Sequence, residues 1–218
     1  MSSSIVIAID GTSASGKSTN ARLVAKALEY SYVDTGAMYR TLAWYCVKNE
    51  TDIHDEKKVV STLKKWVATL KRFDGEIQMH VDGYYPKAEI RTAETSAAVP
   101  VVAAIPKVRE WMKDKQRECV KFGNLVMEGR DIGSNVFPET DFKFYLDASL
   151  SERSKRREAE GVTEDLASRD RQDSQRKAAP LMVPLGAQMV DTSSQTPEES
   201  SQMIIDSVRA ALPEDDAT

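Results

Sequence analysis

The chain has 218 residues, of which 41% are hydrophobic and 29% are charged, and its formal net charge is −4 at pH 7. This composition is typical of a soluble globular protein with room for one α/β domain, so residues 1–218 are expected to form a single domain. The negative charge does not favour a nucleic-acid partner, and no stretch is long and apolar enough to span a membrane. We therefore expect a cytoplasmic protein that binds neither nucleic acid nor a membrane.

The first motif of the chain is a phosphate-binding loop. An apolar run at residues 5–9 predicts a strand, and residues 11–19 then read Gly-Thr-Ser-Ala-Ser-Gly-Lys-Ser-Thr. This is the GxxxxGK[ST] pattern, and a helix predicted over residues 17–28 supplies the context that the motif requires. Gly11 and Gly16 allow a tight turn and the close approach of an anion. The ligand class is therefore a nucleoside triphosphate.

Each part of this loop has an expected role in holding ATP. The backbone amides of residues 13–18 are expected to point at the α- and β-phosphates, helped by the positive end of the following helix. Lys17 is expected to reach the β- and γ-phosphates, and the Ser18 hydroxyl is expected to ligate Mg²⁺. The predicted ATP-binding residues are Gly11, Thr12, Ser13, Ala14, Ser15, Gly16, Lys17, Ser18 and Thr19.

Further strands alternate with helices along the chain. Short apolar runs predict strands at residues 32–33, 125–127, 142–146 and 187–190, with helical or helix-capping patterns between and after them. Together with residues 5–9, they indicate an α/β fold with a five-stranded parallel sheet and helices on both faces. Ligands of such sheets bind at the carboxyl ends of the strands, so the loops that follow the first four strands are the expected site.

Residues 51–105 interrupt this alternation. Residues 55–70 have the apolar spacing of an amphipathic helix, and residues 77–81 then alternate between apolar and polar side chains. Asp-Gly pairs at 74–75 and 82–83 are turn signals on either side of this alternation. The pattern predicts a small antiparallel, β-containing insert.

Residues 151–177 are rich in arginine and have almost nothing apolar to bury. Helical spacing places two sets of side chains on two faces: Arg153, Arg156 and Arg157 on the first, and Arg169, Asp173 and Arg176 on the second. A solvated surface hairpin with Arg–Asp pairs is the alternative interpretation. Phosphoryl transfer, however, needs cations on the transferring group and the exclusion of water. We therefore predict that residues 151–177 form a helical lid over the phosphates.

Four more arginines form a candidate binding site for a second substrate; they are Arg40, Arg91, Arg109 and Arg130. If their loops converge, they suit an acceptor that already bears a phosphate, because a guanidinium group gives two parallel hydrogen bonds. A surface salt bridge is the alternative for each of them alone. Asp34 and Asp131 either orient these arginines or bind polar groups of a sugar or base. No Ser-His-Asp, Cys-His or paired-carboxylate arrangement suggests covalent or hydrolytic chemistry.

Several motifs occur in a fixed order along the chain. They are Asp-Gly at 10–11, Asp-Thr-Gly-Ala-Met-Tyr-Arg at 34–40, Glu-Ile-Arg-Thr at 89–92, Pro-Lys-Val-Arg-Glu at 106–110, Gly-Arg-Asp at 129–131, and Arg169, Asp173 and Arg176 before Ala-Pro-Leu at 179–181. This ordered set, which covers nearly the whole chain, resembles bacterial-type cytidylate kinase, of the nucleoside monophosphate (NMP) kinase group of P-loop kinases. The resemblance implies a monomeric enzyme that transfers a phosphoryl group from ATP to CMP or dCMP with Mg²⁺, in pyrimidine metabolism. It also implies that residues 51–105 are the NMP-binding insert.

The resemblance implies roles for individual residues as well. It assigns Arg40, Arg130 and Arg176 to the acceptor phosphate, Arg109 and Asp131 to the cytosine edge, Arg169 and Asp173 to the ribose, Thr35 and Arg91 to the substrate side, and Arg153 and Arg157 to the transferring group. The expected catalytic residues are accordingly Lys17, Arg130, Arg153, Arg157 and Arg176.

Three places depart from the pattern of this family. Pro100 stands where a serine often helps to recognise the base; it has neither a hydroxyl nor a backbone N–H, so base discrimination or the local backbone path is expected to differ. Glu128 replaces the usual aspartate near the expected Mg²⁺. Ala14 and Ser15 occupy a loop centre that is usually richer in glycine, and they fit there if their φ angles are negative.

Other functions remain open at this point. The first alternative is a P-loop kinase of another phosphorylated or small-molecule acceptor, such as UMP, shikimate or a nucleoside. A nucleotide switch of GTPase type is a second, although nothing in the chain resembles the Asn-Lys-x-Asp guanine motif. A nucleic-acid-binding module is a third, and the negative net charge does not favour it.

Overall fold

The computed structural model describes residues 4–161, 165–176 and 178–212. The strands are β1 (Val6–Gly11), β2 (Ser31–Asp34), β3 (Ala68–Phe73), β4 (Glu76–Val81), β5 (Leu125–Glu128), β6 (Phe142–Asp147) and β7 (Gln188–Asp191). The α-helices are α1 (Lys17–Ala27), α2 (Thr35–Lys48), α3 (Glu56–Leu63), α4 (Ala93–Ala104), α5 (Pro106–Arg117), α6 (Leu150–Ala159), α7 (Leu166–Ser174) and α8 (Pro197–Ala211). Residues 162–164 and 177 of the predicted lid, and both ends of the predicted domain, lie outside the described residues.

The strands form one sheet in the order β3-β4-β2-β5-β1-β6-β7. β1 is paired in parallel with β5 on one side and with β6 on the other, and β2 and β7 extend this parallel core. Alternate residues of β1 enter two separate cores: Val6 and Ala8 pack with α2, α4 and α5, whereas Ile7 and Ile9 pack with α1 and α8. The expected α/β class, with helices on both faces of a parallel sheet, is therefore confirmed. None of the helices in the described ranges is long and apolar enough to cross a membrane.

The sheet has two more strands than the five expected. β3 and β4 form an antiparallel hairpin, and β4 is joined to β2 by the parallel pair Tyr32 and Glu76. The prediction of one helix over residues 55–70 is wrong in its second half, because α3 ends at Leu63 and β3 begins at Ala68. Pairing with β4 decides the conformation of this segment, since an apolar spacing so short is compatible with either structure.

The insert contains a helix that the sequence did not predict. α4 is capped by Thr92, whose Oγ1 accepts a hydrogen bond of 3.3 Å from the N–H of Thr95, and it packs against α2. Pro100 lies inside α4 and removes the N–H that would bind the carbonyl of Ser96. The backbone nevertheless remains helical on both sides of Pro100.

Candidate active site

The phosphate loop connects the carboxyl end of β1 to the start of α1. Gly11 has φ +149°, and a Cβ atom there would lie 1.9 Å from the carbonyl oxygen of Leu146. Gly16 has φ +84° and stands directly before α1. Only glycine fits at position 11, and position 16 favours it strongly, because L side chains clash in these conformations. The tight turn expected from the motif is therefore present.

The centre of the loop differs from the expectation. Ala14 has φ +60°, so the expected negative φ is wrong at this position, while Ser15 is not among the described residues with positive φ. In this left-handed conformation the carbonyl of Ala14 accepts a hydrogen bond of 3.2 Å from Nη1 of Arg156. An alanine in this region carries a conformational cost of about 1 kcal/mol.

Lys17 is buried within the loop that it serves. Its Nζ donates a hydrogen bond to the carbonyl of Thr12 and lies 3.4 Å from Oγ of Ser15. Burial and, second, the positive charge of Arg130 lower the pKa of Lys17 to about 7. An anion in the loop would favour the charged form of this lysine.

Three arginines of α6 contact the phosphate loop, as their helical spacing predicted. Nη1 of Arg153 donates to the carbonyl of Ser13 at 3.2 Å, and Nη2 of Arg157 donates to the hydroxyl of the same residue at 3.0 Å. Arg156 binds the carbonyl of Ala14. These hydrogen bonds, rather than apolar packing, fasten α6 to the loop.

Arg156 was not among the predicted site residues, and neither was the threonine that anchors it. Nη2 of Arg156 donates to the carbonyl of Thr192 at 2.6 Å, and the Thr192 hydroxyl donates to the carbonyl of Ser15 at 3.0 Å. Thr192 directly follows β7. The rule that sites form at the carboxyl ends of strands was a signal that could have identified it.

Two aspartates at strand ends, Asp10 and Asp147, hold the segments around the phosphate loop in place. Neither was among the predicted site residues. The carboxylate oxygens of Asp10 accept hydrogen bonds of 2.7 Å from the N–H groups of Ile132 and Gly133. Burial raises the pKa of Asp10 to about 7, although these two N–H groups favour its charged form. Oδ1 of Asp147 accepts a hydrogen bond of 2.7 Å from the hydroxyl of Thr12.

Oxygen atoms suited to a divalent cation lie where the start of α1 meets the end of β5. The hydroxyl of Tyr32 donates to Oε1 of Glu128, and the side chain of Ser18 is also hydrogen-bonded to this carboxylate. Burial raises the pKa of Glu128, whereas Lys17 and the two hydroxyl groups favour its charged form. A hydroxyl beside a carboxylate is the kind of hard donor set that Mg²⁺ prefers, so Ser18 and Glu128 fit this ion.

The predicted substrate residue Thr35 is occupied by a structural contact. Its hydroxyl donates a hydrogen bond of 2.6 Å to the carbonyl of Glu128, which ties the start of α2 to the end of β5. A Cβ atom on Gly129 would lie 2.7 Å from this hydroxyl. The contact of Thr35 with a substrate stays a prediction.

Asp173 forms ion pairs with three of the arginines predicted to bind the acceptor. Its buried carboxylate accepts a hydrogen bond of 2.9 Å from Nε of Arg130 and another from Nη2 of Arg176, and Nε of Arg169 lies 3.8 Å away. Burial tends to raise the pKa of Asp173, but the three positive charges outweigh burial and lower the pKa. The second predicted helix face thus forms a charge cluster around the buried Asp173, and the role of residues 151–177 as a lid stays a prediction.

Arg40 lies among other cations and has neutral partners. Its Nη1 donates to Oγ of Ser96 at 2.8 Å, and no ion pair joins it to a carboxylate in the part of the chain that the structure describes. Burial and the positive charges of Arg91, Arg169 and Arg157 lower the pKa of Arg40, and the negative charge of Asp34 offsets them only in part. Such a half-buried excess of positive charge is suited to an anion.

Arg91 takes part in this cluster from its edge. Its Nη2 lies 3.6 Å from Oδ2 of Asp34, and its side chain is 61% exposed. Asp34 also caps α2 by accepting a hydrogen bond of 2.8 Å from the N–H of Ala37. Of the two roles considered for Asp34, orientation of an arginine is therefore the one that its geometry supports.

Arg109 and Asp131 form a buried ion pair. Nη2 of Arg109 donates to Oδ1 of Asp131 at 2.8 Å, and Nδ2 of Asn135 donates to Oδ2 at 2.9 Å. The guanidinium also lies 5.4 Å from the centre of the Tyr39 ring. Within the described ranges, nothing accepts a hydrogen bond from the buried Nε of Arg109. A buried donor without a partner is costly, so Nε of Arg109 is a hydrogen-bond donor that the described residues leave unused.

Comparison with known proteins identifies the family. The family model described as "Cytidylate kinase" matches residues 7–210, which is nearly the whole chain.

The chain belongs to the cytidylate kinase family.

Named relatives agree with this assignment to the cytidylate kinase family. A cytidylate kinase of Caldanaerobacter subterraneus subsp. tengcongensis is 40% identical over 216 residues, which cover 94% of this chain and 95% of the relative. One of Geobacillus sp. WCH70 is 40% identical over 223 residues, covering 97% and 100%, respectively. One of Clostridioides difficile is 38% identical over 215 residues, covering 94% and 98%.

Proposed function

We propose that the chain transfers the γ-phosphoryl group of ATP to CMP or dCMP and releases ADP and CDP or dCDP. Membership of the cytidylate kinase family supports this proposal. The observation that carries it is the position of Arg40, which has no ion pair within the described residues and lies near Arg91 and near Arg169, one of the arginines beside Asp173. A triphosphate loop alone is compatible with ATP hydrolysis, whereas a second anion site calls for a phosphate-bearing acceptor.

The donor half of the site is residues 11–19 together with the arginines of α6. The loop amides and Lys17 hold the phosphates of ATP, and Arg153 and Arg157 stabilise the charge that develops on the transferring group. Both arginines already contact Ser13 of the loop, so a small shift brings them to a γ-phosphate. Ser18 and Glu128 would hold Mg²⁺, and the ion would supply positive charge that stabilises the phosphates of ATP.

The acceptor half is the arginine cluster. Arg40, Arg130 and Arg176 bind the phosphate of the nucleoside monophosphate and offset its repulsion from ATP. The acceptor oxygen is already ionised, so the reaction needs positioning and charge stabilisation rather than a strong general base. Arg130 also lies near enough to Lys17 to lower its pKa, which supports a common reaction space for the two halves.

We assign recognition of the base to the buried ion pair of Arg109 and Asp131. Arg109 and Asp131 offer donors and an acceptor to the cytosine edge, and the Nε of Arg109, which has no partner among the described residues, supports a polar ligand there. Arg169 and Asp173 bind the ribose, and Thr35 and Arg91 complete the substrate side. In this proposal, residues 51–105 are the NMP-binding insert and residues 151–177 are the lid of a monomeric, cytoplasmic enzyme without a nucleic-acid partner.

The decisive experiment is a coupled ADP-release assay over a panel of acceptors: CMP, dCMP, UMP, AMP, GMP, shikimate and cytidine. We expect CMP and dCMP to be the best substrates and ADP release without an acceptor to be negligible. A clear preference for another monophosphate would overturn the choice of base. Preference for shikimate or cytidine would overturn the phosphate-bearing acceptor.

A further inference from the structure

A carboxylate of the lid lies in the phosphate loop. Oδ1 of Asp170, on α7, accepts a hydrogen bond of 3.2 Å from the backbone N–H of Ser13. Its Oδ2 accepts one of 2.5 Å from Nη1 of Arg153. The Asp170 side chain is only 17% exposed, and its negative charge opposes in part the lowering of the Lys17 pKa. One carboxylate thus contacts or influences a loop amide, a lid arginine and the loop lysine.

These three groups are the ones that a triphosphate requires. Loop amides bind phosphate oxygens, the loop lysine reaches the β- and γ-phosphates, and a lid arginine stabilises the transferring group. Like a phosphate group, the carboxylate of Asp170 carries negative charge and has oxygens that accept hydrogen bonds. It cannot keep these contacts while a phosphate occupies the same amide, because two anions would then share one set of donors.

We propose that Asp170 is an intramolecular substitute for phosphate, which occupies donors of the phosphate loop and has to leave them when ATP binds. The contact keeps α7 on the loop and joins Arg153 to Ser13. ATP binding then exchanges the Asp170 carboxylate for phosphate oxygens and frees α7 to move. This inference rests on the proposed binding of ATP at residues 11–19.

The energetic consequence has a definite sign. If the closed form with Asp170 in the loop predominates, the apparent affinity for ATP is reduced by the fraction of molecules in which the loop is open. Removal of the charge should therefore strengthen ATP binding. A residue that merely helps the loop to bind ATP would have the opposite effect, since its loss would weaken binding.

The test is a calorimetric titration of the full chain with a non-hydrolysable ATP analogue and with inorganic tripolyphosphate. We expect Asp170→Asn to bind both ligands about five- to tenfold more tightly than the wild type, with an unchanged KM for CMP. Glu160→Gln is the matched control, because Glu160 also pairs with a lid arginine, Arg157, at 2.6 Å, but does so on the exposed surface. It should change the affinity for either ligand less than twofold.

Each outcome decides the inference. Unchanged or weaker binding by Asp170→Asn overturns it, and so does an equal gain in the control, since that would be a general charge effect. A gain for the ATP analogue without one for tripolyphosphate also overturns it, because the contact concerns phosphate alone. Asp170→Ala, which removes the acceptor oxygens as well, should bind at least as tightly as Asp170→Asn. A wild type that binds ATP but phosphorylates no acceptor would refute the proposed function and leave this test readable.

Discussion

Nε of Arg130 donates a hydrogen bond of 2.9 Å to the buried carboxylate of Asp173, and so joins the loop after β5 to α7. The same arginine lowers the pKa of Lys17 by its charge. Arg130 therefore lies between the triphosphate loop and the arginine cluster. Protonation or replacement of Asp173 should therefore affect both the triphosphate loop and the arginine cluster.

The charge cluster of Asp173 predicts a pH-dependent contribution to stability. The three arginines hold the pKa of Asp173 below its ordinary value of 3.8 despite burial. The stabilisation is therefore complete above the unfolded pKa and is lost as the pH falls through the lower folded pKa. Asp173→Asn should lower the free energy of unfolding at neutral pH by about 2–4 kcal/mol, because it leaves Arg130, Arg169 and Arg176 without their counter-ion.

Urea unfolding at neutral pH and at about pH 3 measures this contribution. The difference between the wild type and Asp173→Asn should shrink at the lower pH. Asp206→Asn is the control, because Asp206 is exposed and is hydrogen-bonded to Gln202 only on the surface of α8. It should change stability by less than about 0.5 kcal/mol. A difference for Asp173→Asn that is the same at both pH values would contradict the prediction.

Lys17→Ala should abolish most of the catalytic rate. Loss of a cation that stabilises the transferring group costs several kcal/mol of transition-state stabilisation, so kcat should fall on the order of a thousandfold or more. The coupled assay with saturating ATP and CMP measures this effect. Lys26→Ala, at an exposed position near the end of α1, should retain the wild-type rate. Wild-type turnover of Lys17→Ala would exclude Lys17 from the mechanism.

Arg109→Met tests the recognition of the base. It should raise the KM for CMP by at least about tenfold, since a base contact and the partner of a buried carboxylate are lost together. The KM for ATP should change little. Arg117→Met is the matched control, because Arg117 pairs with Glu139 on the exposed surface. An unchanged preference among CMP, UMP and AMP would refute the role of Arg109.

Removal of Mg²⁺ by a chelator should stop phosphoryl transfer, and Ser18→Ala should raise the Mg²⁺ concentration needed for half-maximal activity about tenfold. The reason is that a hydroxyl ligand beside the β- and γ-phosphates is lost. Ser18→Thr keeps the hydroxyl and should behave like the wild type. Binding of Mn²⁺, followed by electron paramagnetic resonance in the presence of ADP, gives a readout independent of turnover. Equal Mn²⁺ affinity of the wild type and Ser18→Ala would remove Ser18 from the metal site.

The left-handed conformation of Ala14 predicts a stabilising substitution. Ala14→Gly should raise the free energy of unfolding by about 1 kcal/mol, because glycine adopts φ +60° without a Cβ clash. For a protein of this size the corresponding rise in Tm is about 2–4 °C. Ala97→Gly, at an exposed position inside α4, should have the opposite sign. Thermal unfolding of both variants without nucleotide checks the pair, and a lower Tm for Ala14→Gly would contradict the prediction.

The parts of the site that the sequence predicted are encoded locally. The phosphate loop depends on Gly11, Gly16 and Lys17 within one short segment, and each follows from its own position in the motif. The contact face of α6 follows from helical periodicity, which places Arg153 and Arg157 together whatever the rest of the chain does.

The parts that the sequence missed depend on distant partners. Asp10 and Ile132 are 122 positions apart, so no local pattern reveals their hydrogen bond. β3 owes its conformation to pairing with β4, and the second half of α4 is an unbroken apolar run that contains Pro100, so neither has a distinctive periodicity. The positive φ of Ala14 accompanies a carbonyl contact with Arg156, 142 positions along the chain.

The two hydrogen bonds of Asp10 have a consequence for engineering. They join the end of β1 to the turn that follows Arg130 and Asp131, so these two segments form one structural unit. A phosphate loop transplanted from another enzyme would arrive without its counterpart and leave a buried carboxylate or two amides unsatisfied. The smallest interchangeable module of this protein is therefore a pair of segments, taken from places far apart in the chain and exchanged together.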